Sequence, residues 1–461
     1  MLKIAIPLVL STGAWSIQHF IDRVFLTWYS PEALAAAMPA SMVNFTFMSL
    51  FIGTASYVST FVAQYYGAER RDRIGPVVWQ GIYFGGLAGL SLLCLIPLAE
   101  RIFSLSGHEP AVRRLEVEYF RILCLGAGPS VTAAAASGFF SGRGKTWTVM
   151  WVRTVATGAN IVLDYALIFG HWGFPRWGIR GAAAATVISA CISATLFLLL
   201  MMRPHLREEF ATLRGWRLEK DLFRRLLRFG LPNGLQFMLD ILGFTVFIML
   251  VGRLGTVHLA ASNIAFNINT LAFVPMIGSG IAVSIMVGQR LGENRPELAE
   301  RSTWSAFHLT FAYMGTIAVC YVVFPKLFIL PFGAQANPDE FEVLSRIVVV
   351  LLRFVALYSL FDTLNIVLSA ALKGAGDTRF VMISSLIVSW VIMVVPSYLA
   401  IMVFGQGLYV TWAFGTAYIS LLGFVFLARF LKGQWKSMRV IEEAPHPVAA
   451  ALPEASTSEP A

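Results

Sequence analysis

The sequence predicts an all-α integral membrane protein, with twelve transmembrane helices in two six-helix bundles. Long apolar blocks, a shortage of charge and an internal repeat carry this prediction. Hydrophobic residues make up 57% of the 461 residues and charged residues only 13%, whereas soluble domains carry about a quarter charged residues. A helix needs about 20 apolar residues to cross the hydrocarbon core of a bilayer. The composition therefore excludes a soluble enzyme, a nucleic-acid-binding protein and a secreted disulfide scaffold.

Twelve apolar blocks alternate with clusters of charge, and each block is predicted to be one span. The predicted spans are 4–28, 40–66, 75–98, 118–140, 148–170, 182–202, 226–251, 259–289, 302–324, 344–372, 380–404 and 408–431. The first block has no small-residue cleavage site, so we expect it to be retained. The spans form an N-terminal lobe, 1–202, and a C-terminal lobe, 226–432, which the Arg-rich linker 203–225 joins. The polar, Ala- and Pro-rich segment 433–461 is predicted to be a disordered tail.

The distribution of Lys and Arg predicts the orientation. If the N-terminus is placed inside, most of the 35 basic residues fall in connectors on the inner side. Cytoplasmic connectors are enriched in Lys and Arg, so both termini are predicted to be cytoplasmic. We expect a multi-pass protein of the cytoplasmic (inner) membrane, acting as a monomer in the lipid bilayer, with no nucleic-acid partner.

The two halves of the chain are related by an internal repeat. At a shift of 225 residues they align without a gap, and the identical pairs include Pro7 with Pro232, Asn44 with Asn269 and Gln64 with Gln289. Because each half contains an even number of predicted spans, the halves share one orientation and are related by a pseudo-two-fold axis along the membrane normal. Such repeats are typical of secondary transporters, whose pathway lies between the halves.

Four carboxylates lie well inside the predicted spans: Asp22, Asp164, Asp240 and Asp362. A charge at the centre of a bilayer costs about 3 kcal/mol, so such residues tend to face a cavity, an ion or a partner. The alternative is a structural ion pair that fixes helix packing. This alternative applies most directly to Asp22, because Arg23 is adjacent to it. The repeat does not superpose the four acids. The sequence therefore predicts two different acidic pockets, one in each half.

Each of these acids has an oxygen-bearing side chain four residues before it, and these residues are Gln18, Asn160, Gln236 and Tyr358. A spacing of four places both members of a pair on one helix face. Carboxylate, amide and phenol oxygens suit a monovalent cation or a shared proton. The predicted substrate pathway contains Gln18, Asn44, Gln236, Asn263 and Asn267.

No catalytic or nucleotide-binding motif accompanies these residues. Residues 141–146 end in Gly-Lys-Thr, but Phe139 stands where a phosphate loop needs Gly. Neither HExxH nor a Ser-His-Asp set is recognisable. The sequence predicts a protein that is not an enzyme, has no cofactor and is driven by an ion gradient of Na+ or H+.

Several segments resemble the multidrug and toxic compound extrusion (MATE) family, most closely its NorM-like branch, over roughly 4–432. They are FIDRVFLTWYSPEALAAA, MLVGRLGTVHLAASNIAFNINTLAFVPMIGSGIAVSIMVGQRLGEN, NIVLDYALIFG, GIRGAAAAT and FDTLNIVLSAALKGAGDT. The resemblance implies a twelve-helix exporter that exchanges bulky organic cations for Na+ or H+. It also implies cation- or proton-binding roles for Asp22, Asn160, Asp164, Thr186, Asp240, Tyr358 and Asp362, with Na+ as the metal ion at the last three.

Two positions depart from the family pattern. The NorM-like branch has Glu where this chain has Asp240, and a small residue where it has Arg23. We expect the Arg23 side chain to point away from Asp22, because adjacent residues diverge by about 100° around a helix. Asp22 and Asp164 could then carry a proton. A flippase for lipid-linked saccharides, from a related superfamily, is the alternative function, but its cavity would be cationic, whereas the buried charges here are acidic.

Overall fold

A computed structural model describes residues 2–104, 107–333 and 338–442 of the chain. The N-terminal lobe consists of α1 (Leu2–Tyr29), α2 (Pro31–Ser56), α3 (Val58–Gly67), α4 (Ile74–Leu93), α5 (Ala99–Ser104), α6 (Pro110–Leu125), α7 (Ala127–Gly142), α8 (Thr146–Phe169) and α9 (Ile179–Met201). A short helix, α10 (Pro204–Glu209), follows in the linker. The C-terminal lobe consists of α11 (Lys220–Gly252), α12 (Thr256–Gly292), α13 (Pro296–Val323), α14 (Pro325–Gly333), α15 (Pro338–Ala375), α16 (Thr378–Val388), α17 (Val395–Met402) and α18 (Leu408–Leu431).

The helices confirm an all-α membrane protein. Among the described residues, eleven spans are long and apolar enough to cross a membrane, and there are twelve if α6 and α7, bent by 42°, form one span. This bend falls inside the predicted span 118–140, at Gly126. The second span begins at Pro31 rather than at 40, because the Ser30 hydroxyl caps the helix by accepting a hydrogen bond from Ala33 N at 3.0 Å.

The same helix pairs form in both lobes, which is the architecture that the repeat predicts. In the N-terminal lobe α1 packs on α8, α4 on α7 and α7 on α9. Their counterparts in the C-terminal lobe are α11 on α16, α13 on α15 and α15 on α18. The repeated sequence has therefore folded twice into one bundle topology.

The lobes meet through paired contacts at one end of the molecule. We call this the basic end, because it carries the Arg- and Lys-rich connectors 67–73, 143–145, 203–220, 290–295 and 373–379. Gln64 Nε2 donates to Gly374 O at 3.0 Å, and its repeat partner Gln289 Nε2 donates to Gly142 O at 2.7 Å. These two hydrogen bonds cross between the lobes in opposite directions. The residues that align in the repeat thus meet around the pseudo-two-fold axis.

The same axis brings backbone against backbone. A Cβ placed on Gly67 would lie 2.0 Å from Gln289 O, and one on Gly292 would lie 2.2 Å from Gln64 O. No side chain fits such gaps. Small residues allow this close approach between membrane helices, so both glycines keep the basic end closed.

The linker is packed rather than free. Gly75 N donates to Phe210 O at 2.9 Å, and Trp79 Nε1 donates to Thr212 O at 2.6 Å. Phe210 is buried against Phe139 of the N-terminal lobe, with ring centroids 5.6 Å apart. The linker therefore belongs to the first lobe, and it ends at 219 because α11 begins at Lys220.

The predicted disorder of 433–461 is wrong for its first ten residues, Gly433–Glu442, which we call the C-terminal strap. Trp435 is buried and stacked on Phe430, with ring centroids 4.7 Å apart. Val440 and Ile441 are buried in the core of the N-terminal lobe. The polar average of the whole segment concealed these apolar anchors. The rest of the predicted tail, 443–461, lies outside the described residues.

Candidate functional site

The first acidic pocket lies between α1 and α8, which pack together along the N-terminal lobe. Their contact brings the side chains of Asp22 and Asp164 within hydrogen-bonding reach of each other. The Asn160 amide, with its nitrogen turned towards the acids, lies 3.1 Å from Asp22 Oδ1 and 3.2 Å from Asp164 Oδ2. All three side chains are buried.

This geometry determines what the pocket can hold. An ionised carboxylate only accepts hydrogen bonds, so a bond between two carboxyl groups requires a proton on one of them. Two adjacent carboxylates repel each other strongly when both are ionised. Asp164 Oδ1 has no hydrogen-bond partner within the described structure and is free to accept one. The two carboxyls can therefore hold one proton between them.

The surroundings of the pair include one residue that sequence reasoning missed. Tyr119 of α6 is buried, hydrogen-bonds to Ser41 and lies within electrostatic range of both acids. It gave no spacing signal because it comes from a different helix. Gln18, which the sequence did identify, lies 3.1 Å from the Asn160 amide nitrogen.

Two other residues of this lobe form no described hydrogen bond or ion pair with the two acids. The Arg23 side chain is exposed and forms no ion pair with Asp22 in the described ranges, although its charge lies within electrostatic range of that acid. Thr186 uses its hydroxyl to donate to Ala182 O at 3.1 Å, one turn back on α9. No described polar contact joins Thr186 to the carboxyls.

The two acids of the second pocket lie on different helices, α11 and α15. Asp362 of α15 is buried and accepts a hydrogen bond from Asn365 Nδ2 at 3.0 Å. Asp240 of α11 is half-buried and hydrogen-bonds to Gln236. The two acids thus have separate amide partners, in contrast to the shared Asn160 of the first lobe.

Further oxygen atoms surround these two acids. Tyr358 accepts a hydrogen bond from Asn269 Nδ2 at 3.1 Å, and the missed residue Tyr418 of α18 lies within electrostatic range of both Asp240 and Asp362. The buried oxygens Gln236 Oε1 and Asn269 Oδ1 lack hydrogen-bond partners among the described residues. Burying such atoms unpaired is costly. These atoms and the carboxylates are oxygens of the kind that a hard cation prefers, and Lys373 lies within electrostatic range of Asp240.

The predicted pathway residues divide into two groups. Asn263 and Asn267 are exposed one turn apart on α12, with Asn267 Nδ2 donating to Asn263 O at 2.8 Å. Asn44 is instead buried, with its Nδ2 3.8 Å from Cys124 Sγ. Its place on the substrate pathway stays a prediction, and the contact shows that it also packs within its own bundle, as polar residues in membrane helices often do.

Comparison with known proteins matches this architecture. The model of the MatE family matches residues 7–166 and 232–399, one segment in each lobe. A probable multidrug resistance protein NorM from Thermotoga maritima is 25% identical over 447 residues, which cover 96% of this chain and 94% of that protein. Its namesake from Burkholderia pseudomallei is 28% identical over 393 residues, 84% of this chain and 82% of that protein.

Solved structures share the fold. One, described as the outward-facing conformation of a multidrug resistance MATE family transporter, superposes with a TM-score of 0.85 and 20% identity, covering 95% of this chain and 96% of that one. A MOP superfamily transporter from Pyrococcus furiosus superposes with a TM-score of 0.84 and 21% identity, at the same coverage. Its description reports a binding pocket of reverse polarity that suggests a different function. At these identities the likeness concerns the fold.

Proposed function

Because the chain belongs to the MatE family, whose model matches both of its lobes, we propose that it is a secondary active multidrug efflux transporter. It exports organic cations in exchange for H+ or Na+ and is not an enzyme. The observation that carries the proposal is the buried pair Asp22 and Asp164, bridged by Asn160. Relatives at 25% and 28% identity are named multidrug resistance proteins, which supports the same class of cargo.

The two pockets bind the coupling ions. In the first lobe the carboxyl pair exchanges a proton, since its hydrogen bond exists only while one acid is protonated. In the second lobe Asp240, Asp362 and Tyr358 supply oxygens to Na+, and the unpartnered oxygens of Gln236 and Asn269 complete the donor set. Na+ is here a transported ion rather than a resident cofactor.

The cargo is inferred from charge and from aromatic surface. Phe45 of α2 and Phe237 of α11 meet edge to face across the two lobes, with ring centroids 5.9 Å apart. Aromatic faces attract cations through the ring quadrupole, and the buried acids favour the same sign of charge. Flat hydrophobic cations fit this combination, whereas the pyrophosphate of a lipid-linked saccharide does not.

We place the basic end in the cytoplasm of a bacterium. Cytoplasmic connectors are enriched in Lys and Arg. Both ends of the described chain lie there: Ile4 is near Gly144, and the strap lies over Gln64. The lobes are closed at this end by the paired contacts of Gln64 and Gln289. Rearrangement of these contacts is the step that would admit cargo from the cytoplasm.

Transport into everted membrane vesicles tests the proposal. An outward-directed Na+ or H+ gradient is imposed separately, and uptake of ethidium is compared with uptake of an anionic drug of similar size. We expect gradient-dependent uptake of the cation, and none in vesicles that carry the matched Asp22→Asn, Asp362→Asn double variant at equal abundance. Equal transport of both drugs would contradict cationic cargo, and uptake without any gradient would contradict antiport.

A further inference from the structure

A cavity of about 1020 Å³ lies between α11 and α16 at the basic end. Its lining contains none of the residues of the two acidic pockets. A second cavity of about 280 Å³ shares Arg228 and Arg379 with it and extends to Arg439 of the C-terminal strap. These connected spaces therefore form a region separate from the ion sites.

The end of the cavity nearest the connectors is strongly cationic. Arg224 and Arg228 lie one turn apart on α11, and Arg379 lies on the first turn of α16. All three are exposed, and none forms a salt bridge within the described ranges. Asp221 is the single acid in the lining. The three guanidinium groups are therefore available to an anion.

Nearby acids are engaged elsewhere. Asp377 pairs with Arg429 at 2.7 Å, and Glu219 pairs with Arg73 at 2.9 Å. The fourth arginine of the lining, Arg225, is already bound to the strap through Val440 O at 3.1 Å. The cationic end thus keeps an excess of positive charge that the described acids do not neutralise.

The rest of the cavity is apolar, in the same order on both walls. On α11 the face that begins with Arg224 and Arg228 continues with Leu231 and Leu235, and on α16 Arg379 is followed by Met382 and Ile383. Both helices begin at the basic end and enter the membrane from it. Charge therefore gives way to apolar surface in the direction in which a phospholipid runs from headgroup to acyl chain.

We propose that this cavity binds an anionic phospholipid of the adjacent leaflet. Arg224, Arg228 and Arg379 hold its phosphate, because guanidinium groups bind phosphate oxygens in bidentate geometry. The upper acyl chains lie along Leu231 and Ile383. Basic pockets between membrane helices are known to bind such headgroups. The site is independent of the proposed transport function.

The repeat assigns the site to the second lobe alone. At the shift of 225 residues Arg228 aligns with Lys3. A second shift, of 232 residues, aligns Gly142 and Gly144 with Gly374 and Gly376, and it pairs Arg379 with Trp147. The first lobe thus has an aromatic side chain where the second has a guanidinium. Among the described residues, a lipid site of this design therefore belongs to the second lobe.

Lipid binding to the purified full chain in detergent tests the site. Phosphatidylglycerol, phosphatidylcholine with the same acyl chains, and inorganic phosphate are titrated separately, with retained adducts followed by native mass spectrometry and melting temperature by intrinsic fluorescence. We expect phosphatidylglycerol alone to bind and to raise the melting temperature. In the triple variant R224Q, R228Q, R379Q its apparent affinity should fall at least about tenfold, since each arginine near a charged lipid surface contributes roughly fivefold.

A matched triple variant distinguishes the site from general surface charge. Arg203, Arg207 and Arg301 are also exposed, lie outside the cavity and form no salt bridge in the described structure. R203Q, R207Q, R301Q should keep wild-type affinity; an equal loss there would overturn the proposal. Equal binding of phosphatidylcholine would indicate ordinary boundary lipid, and equal stabilisation by phosphate would indicate a free-anion site; either result rejects it. If the triple variant does not fold, R379Q alone should weaken phosphatidylglycerol binding about fivefold, and unchanged binding there would also reject it.

Discussion

The two acidic pockets occupy comparable bundles of one repeated fold but are built on different principles. In the N-terminal lobe Asp22 and Asp164 touch each other and share the amide of Asn160. In the C-terminal lobe Asp240 and Asp362 have separate amide partners, Gln236 and Asn365.

Under the proposed function, this difference gives a duplicated scaffold two kinds of ion site. Two carboxyls in direct contact need a bound proton, whereas Asp240 and Asp362 make no described hydrogen bond to each other and each keeps its own amide partner. The helix pairs are the same in both lobes, so the distinction comes from which helix carries the second acid: Asp164 lies on α8, whereas Asp362 lies on α15, the counterpart of α7. The comparison is therefore tested by removing the acids of one pocket at a time and by driving transport with each ion separately.

The largest effect is expected from Asp164→Asn. The substitution removes the proton that the pair exchanges, so efflux driven by a proton gradient should fall to the level of vesicles without the protein. Efflux driven by Na+ should persist, because Asp164 lies outside the second pocket. Both rates are measured in everted vesicles containing equal amounts of folded protein. Loss of both activities together would show that the pair is structural and would break the comparison.

Asp362→Asn is expected to have the converse effect. It keeps the shape of the side chain but removes its charge from the oxygen-rich pocket, so Na+-driven efflux should collapse while expression is unchanged. The same vesicles energised by a proton gradient provide the internal control. Wild-type Na+-driven transport would mean that the carboxylate serves packing alone.

Arg23→Ala separates a proton site from a salt bridge. Arg23 is exposed and forms no described ion pair with Asp22, so most proton-driven transport should survive its removal, whereas Asp22→Asn should abolish it. Transport and detergent stability are measured for both variants. If Arg23→Ala is as damaging as Asp22→Asn in folded protein, the two residues form a bridge during transport and the first-lobe proton site has to be abandoned.

Tyr418→Phe should produce a smaller change in the second pocket. The substitution deletes one hydroxyl that lies near Asp240 and Asp362, and the loss of one hydrogen bond costs about 1 kcal/mol. We expect the Na+ concentration at half-maximal efflux to rise roughly fivefold, with no change in proton-driven efflux. Tyr119→Phe is the matched variant beside the first pocket and should leave the Na+ dependence unaltered.

The smallest effect is expected outside both pockets, at Glu442 of the strap. Partial burial raises the pKa of the Glu442 carboxyl, but the hydrogen bond from Tyr65 and the charges of Arg70 and Arg73 outweigh burial and leave the pKa below its ordinary value of 4.5. A lowered folded-state pKa stabilises the protein above that ordinary value, and the contribution is lost as pH falls through the folded-state pKa. Glu442→Gln should therefore lower stability by about 1 kcal/mol at pH 7.

Melting curves from pH 7 down to pH 3 check this sign. The difference between Glu442→Gln and wild type should shrink towards zero as the solution becomes acidic, while the ratio of Na+- to proton-driven transport stays the same at neutral pH. A difference that grows on acidification would contradict the assigned pKa direction. A changed transport ratio would show that the strap favours one pocket over the other.

Much of this architecture could be predicted from local sequence. Hydrophobic length identified the spans, the repeat predicted two equivalent bundles, and a spacing of four placed Asn160 and Asp164 on one face. Prediction failed where the partner comes from a different helix. Tyr119 and Tyr418 reach the acids from α6 and α18. Periodicity describes one helix at a time and contains no information about which helix lies beside it.

The strap also constrains the order of events during synthesis. Val440 and Ile441 belong to the same core as Phe61 and Phe210. About 230 residues of chain lie between Phe210 and Val440. At about 5–20 residues per second, the ribosome needs roughly 10 to 50 seconds to cover that distance. The N-terminal lobe therefore stays in the membrane with an incomplete core until the strap has been synthesised and packs into it. A truncated chain could never complete it, so a full-length product is a condition for a finished first lobe.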